Sequence, residues 1–130
     1  MSGLPPSLAD IERLAQAAVE HLPPLFREYL GRVILKVEDF PDDAVAREME
    51  LESPFDLLGL YWGNPVGDSG AGFTGALPPT IFLYRRPILD EWASGEDTLE
   101  QLVTHVLVHE VGHHFGLSDD DMHAIEDSID

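Results

Sequence analysis

Residues 98–116 read TLEQLVTHVLVHEVGHHFG, and this run decides how the chain is built. At about 100° per residue, Val103, Leu107, Val111 and Phe115 fall on one face of a helix, with Leu99, Leu102 and Val106 towards the opposite side. A helix apolar on both sides belongs in the middle of a domain. Asp97 and Glu100 have capping-box spacing and predict a start near Thr98. Gly116 predicts the stop, because glycine tolerates the left-handed conformation that ends helices. Polar side chains inside such a helix are costly unless they serve a purpose.

His109 and His113 lie four residues apart, about 40° apart on one face and one turn apart along the axis, so both imidazoles can reach one ion. Glu110 flanks that face, where it can hydrogen-bond an attacking water without being a ligand. This is the division of labour in HExxH zinc hydrolases. A chance HExxH in a chain of this composition has a probability of roughly 0.02, and requiring Gly116 and Asp119 as well lowers it to the order of 10⁻⁴. Gly116 can fold the chain back towards the metal, which makes Asp119 the third ligand. Two imidazoles, one carboxylate and one open position form the ligand set of a catalytic zinc site. The chain has no cysteine, so His, Asp and Glu must supply any metal ligands.

The stretch from His109 to Met122, together with residues 83–89 (LYRRPIL) and 57–61 (LLGLY), resembles the mini-zincins, small bacterial zincin-like metallopeptidases with an HExxHxxGxxD pattern. The likeness runs from about Val33 to Met122. It implies a zincin-like core, a small sheet beside an active-site helix, with zinc on His109, His113 and Asp119. It does not imply a substrate. Metzincins, which share the xxGxx extension, use His as third ligand and place a methionine turn well downstream. Here only 17 residues follow His113. Met122 is read as a core methionine rather than a floor beneath the metal. No Tyr or His is singled out for stabilising an oxyanion.

Outward from this helix the pattern is α+β. Ser7 and Asp10 open an amphipathic helix through Leu8, Ile11, Ala15, Ala18 and Leu22, stopped by Pro23 and Pro24. A short helical piece follows from Leu25 to Leu30. Val33 to Val37 reads as a strand, and Asp42 and Asp43 as the cap of a short helix to Leu51. Leu57 to Trp62 is a second strand, Gly63 to Pro79 a long loop, and Thr80 to Arg85 a third strand. Pro87 sits in the first turn of a helix reaching Trp92. A last acidic helix is expected from about Asp119 to Ser128. The whole is read as one domain, 1–130, with a mostly three-stranded sheet packed against the active-site helix and the N-terminal helix. Thr80 to Arg85 is expected to be an edge strand to which an extended peptide adds.

Other polar residues have plainer readings. His114 points about 100° from His113 and is read as packing or exposed. His105, one turn before His109, is either a satisfied core histidine or an outer partner of the site. His123 and Glu126 are reserve ligands should Asp119 fail. Arg85 and Arg86 are read as pairing with surface carboxylates before substrate recognition. Asp119, Asp120 and Asp121 complement a helix N-terminus, and only Asp119 has ligand spacing.

The 130 residues carry 25 acidic against 7 basic side chains, a formal charge of −18. That charge repels phosphate backbones and anionic membranes and excludes nucleic acid as a partner. Solubility explains so much acid more simply than a preference for basic substrates. Met1 to Asp10 lacks a signal-peptide pattern and no run is long enough to span a bilayer, so a cytoplasmic monomer is expected. The expected activity is peptide hydrolysis with Zn2+ as cofactor and Glu110 as general base and acid. The alternative is a zinc-binding interaction module of zincin fold.

Overall fold

The computed structural model describes residues 4–24, 33–62 and 79–115, with positions 27, 30, 118, 120, 121 and 124. In chain order the elements are α1 (Leu8–Glu20), β1 (Ile34–Glu38), α2 (Asp43–Glu48), a 3₁₀ turn (Pro54–Asp56), β2 (Gly59–Trp62), β3 (Thr80–Tyr84), α3 (Arg85–Ser94) and α4 (Leu99–Phe115). The expected α+β architecture, a small sheet packed against α4 and α1, is what the chain adopts.

The sheet has the order β1-β3-β2. β1 runs parallel to β3, with Ile34 opposite Thr80 and Glu38 opposite Tyr84. β2 runs antiparallel to it, with Gly59 opposite Leu83 and Trp62 opposite Thr80. The segment Thr80 to Arg85 is therefore the central strand and not the expected edge. Its composition explains the place: Thr80, Ile81, Leu83 and Tyr84 are all buried, so both faces of the strand are covered. In β1, by contrast, Leu35 and Val37 turn inwards while Ile34, Lys36 and Glu38 are exposed. That alternation suits a strand with one solvated face.

α4 occupies the centre, touching α1, α3, β2 and β3. Val103, Val106, Leu107, Val108 and Val111 are buried against Ile11, Ala15 and Ala18 of α1 and against Ile81 and Leu83 of β3. Burial of one such Leu or Ile contributes about 1.5–3 kcal/mol. α1 starts as the sequence indicates, with the Ser7 hydroxyl accepting from the Asp10 N–H at 3.1 Å and the Asp10 carboxylate accepting from the Ser7 N–H at 2.8 Å.

α4 starts one residue later than the Asp97/Glu100 spacing suggested. The Thr98 hydroxyl accepts from the Gln101 N–H at 3.1 Å, and the Gln101 side chain accepts from the Thr98 N–H at 2.9 Å. The capping box is thus Thr98 and Gln101. α3 begins at Arg85, which leaves Pro87 in its first turn as expected, and the Arg86 N–H donates to the Asp39 carbonyl at 3.0 Å. The 3₁₀ turn before β2 was not anticipated; Ser53 and Asp56 cap it reciprocally. The expected helix from Leu25 to Leu30 and the loop from Gly63 lie largely outside the described residues. So do Gly116 and most of the last helix.

Candidate metal centre

α4 carries His109, Glu110 and His113 on its last two turns, and the packing of β2 against it sets their surroundings. Gly59 lies over Val106 and Glu110, where a Cβ would stand 2.7 Å from Val106 Cγ1 and 3.3 Å from Glu110 Cγ. Glu110 is only 7% exposed. Burial pushes its carboxyl above the ordinary glutamate range. The charge and hydrogen bond of His113 and the backbone N–H of Tyr61 act in the opposite direction and offset part of that rise.

His113 stands at the surface, its side chain 56% exposed, with Nδ1 3.1 Å from Glu110 Oε1. A proton on Nδ1 donated to that carboxylate leaves Nε2 as the unprotonated nitrogen, the form in which imidazole binds metal. His109 is half-buried, its ring tilted 56° against that of His105 at a centroid distance of 4.4 Å. Among the described residues its buried Nε2 atom meets no hydrogen-bond partner, although the residue itself is not without interactions. A buried imidazole nitrogen in that state fits a metal ligand.

Glu110 and His113 thus meet on the last two turns of α4, where His109 also lies with its ring against His105. Asp119 lies outside the described residues, as do Met122, His123, Glu126 and the side chain of His114. Among the described residues no three His, Asp or Glu side chains converge as a metal-holding group. Ser118 and Asp121 are described and cap each other, the Ser118 hydroxyl accepting from the Asp121 N–H at 3.2 Å and the Asp121 carboxylate from the Ser118 N–H at 3.3 Å. Asp120, Asp121 and Ala124 are helical, within the span where the acidic helix was expected.

A family model described as zincin-like metallopeptidase matches residues 30–129. The chain belongs to this family. No curated protein matches it. Membership in the zincin-like metallopeptidases implies zinc as the cofactor, and the two imidazoles fit that ion. The match spans the sheet, α3 and α4 and leaves α1 outside it.

Of the two arginines, Arg85 pairs with a carboxylate as expected, while Arg86 lies over an aromatic ring. Arg85 donates through Nε to the Pro6 carbonyl at 2.6 Å and through Nη1 to Asp39 at 3.0 Å, tying the N-terminal segment to the sheet. Arg86 stacks over the Phe40 ring at 5.6 Å. What the motif did not single out is the contribution of β2. The available signal was a glycine inside a strand run, which marks a close backbone approach.

Proposed function

We propose that this zincin-like metallopeptidase hydrolyses peptide bonds, with zinc held by His109, His113 and Asp119. The observation that carries this reading is the buried carboxylate of Glu110, flanked in sequence by His109 and hydrogen-bonded to His113. When bound, zinc polarises the scissile carbonyl and acidifies water. Glu110 takes the proton from the attacking water and returns it to the leaving amine. A carboxyl raised by burial is a better base than one in bulk water, which suits it to both steps.

Because β3 is central, an extended peptide would add to β2 instead. The Tyr84 N–H donates to the Leu58 carbonyl at 2.9 Å, and Leu60 pairs with Phe82, so Leu58 and Leu60 direct their backbone groups to β3. By alternation Gly59 directs its backbone groups away from β3, beside Glu110. Strand addition there brings the peptide to the base. No described helix is long and apolar enough to cross a membrane, and soluble peptides or proteins are the proposed substrates.

Turnover of a peptide library by zinc-loaded protein tests the reading against the Glu110→Gln variant. Hydrolysis by the wild type that falls at least about a hundredfold in Glu110→Gln is expected. Equal background rates in both would replace the peptidase by a zinc-binding module.

A further inference from the structure

Gly59 sits where β2 crosses α4. A methyl group at its Cα would lie 2.7 Å from Val106 Cγ1, 3.2 Å from the Phe82 carbonyl oxygen and 3.3 Å from Glu110 Cγ. The first distance is shorter than packed carbons tolerate. Val106, β-branched and on a helix, has one strongly preferred rotamer and does not swing aside readily. The strand and the helix approach this closely because position 59 has no side chain.

The consequence appears two residues along. Tyr61 shares the parity of Gly59, and its backbone N–H points away from β3. That N–H donates to the Glu110 carboxylate. The same carboxylate meets His113 Nδ1 at 3.1 Å, so it is held from the strand as well as from its own helix. A glutamate has three rotatable bonds, and a base that is already oriented loses less freedom on reaching the transition state.

We infer that Gly59 and Tyr61 position Glu110: the bare Cα of Gly59 lets β2 press on α4, and the Tyr61 N–H then fixes the carboxylate in its working orientation. The inference rests on the reading of Glu110 as general base, but it acts through the backbone of β2 and has a readout of its own. Neither residue need touch the reacting atoms.

The test starts with amide exchange of the zinc-loaded full chain, followed by NMR. The Tyr61 amide should exchange at least about tenfold more slowly in wild type than in Glu110→Ala. In Gly59→Ala the protection should fall, and kcat should drop about tenfold or more with KM within about twofold and zinc content unchanged. Gly59→Ala combined with Val106→Ala, which removes the closest clash, should recover both. Equal Tyr61 exchange in wild type and Glu110→Ala would overturn the inference, as would wild-type kcat in Gly59→Ala. A Gly59→Ala protein that loses zinc and KM along with kcat would reduce the glycine to a packing role and overturn it too. If the wild type cleaves no peptide, the peptidase reading fails, and the exchange comparison decides the positioning by itself. Should Gly59→Ala not fold, the Glu110→Ala comparison and the double variant carry the test.

Discussion

Nδ1 of His113 sits 3.1 Å from Oε1 of Glu110, across one turn of α4. The contact makes the two residues of one motif partners of each other. The carboxylate sets which ring nitrogen carries the proton, and the imidazole offers the buried acid a hydrogen-bond donor. It does not supply enough to cancel the burial, since the Glu110 carboxyl remains raised.

A stability prediction follows for the metal-free protein. A carboxyl whose folded-state pKa is raised favours folding only where it is protonated. That contribution is complete below the ordinary glutamate value of 4.5 and is lost as pH rises through the folded-state value. At neutral pH, where the unfolded chain ionises this carboxyl freely, its raised folded-state value therefore costs stability. With chelator present, Glu110→Gln should melt higher than wild type near pH 7, and the gap should close as pH falls to about 4. A variant no more stable than wild type at neutral pH would show that the carboxylate is not held against its burial.

The ligand assignment predicts one zinc per chain by metal analysis. His109→Ala should lose it, while Glu110→Gln should retain it, because a base that serves water is not a ligand. Asp119→Ala should weaken zinc by at least about tenfold, roughly 1.4 kcal/mol, as competition with a chelator would measure. Unchanged affinity in Asp119→Ala, with loss in His123→Ala or Glu126→Ala, would place the third ligand further along the chain.

The helix of the motif was legible because its apolar residues surround it: Val103, Leu107 and Val111 on one side and Leu102 and Val106 on the other are all buried. Helical spacing also placed Glu110 and His113 within reach of each other without knowledge of the rest of the fold. Strand order was not legible. Periodicity shows that Thr80 to Tyr84 is a strand, but its central place depends on which segments return to pair with it, a non-local matter. The hydrogen bond from Tyr61 to Glu110 was hidden for the same reason. It depends on a backbone group, identical in every residue but proline, and on a contact between segments about 50 residues apart in a chain folded as this one is.

Asp10 should titrate below its ordinary value of 3.8, because its carboxylate accepts from the Ser7 N–H, with the Ser7 side chain and Arg13 adding to the effect. A depressed carboxyl favours folding above the ordinary value, and that contribution is lost as pH falls through the folded-state one. Ser7→Ala should move the Asp10 titration, followed by carbon-detected NMR, back towards 3.8 and should cost about 1 kcal/mol of stability through the lost cap. Because alanine keeps the Ser7 N–H, an Asp10 titration unaffected by Ser7→Ala would assign the whole shift to that backbone donor and to Arg13 and remove the hydroxyl from the account.

The last prediction concerns the turn that ends α2 and leads towards β2. Met49 closes the helix, the Leu51 N–H returns to the Ala46 carbonyl at 3.0 Å, and the Glu50 N–H returns to the Arg47 carbonyl at 3.2 Å. These two bonds form a Schellman motif, whose turning residue must be left-handed. That residue is Glu50, with φ of 54°, the one positive-φ position occupied by a residue other than glycine among the described residues. A side chain there crowds the backbone where glycine would not. Glu50→Gly should therefore stabilise the protein by about 1 kcal/mol in denaturant titrations. Part of any gain could come from removing one negative charge from a chain of net −18, and Glu50→Gln separates the two effects. It removes the charge and keeps the side chain, so it should recover only a small part of the gain. If Glu50→Gln stabilised as much as Glu50→Gly, charge rather than backbone conformation would be the cause.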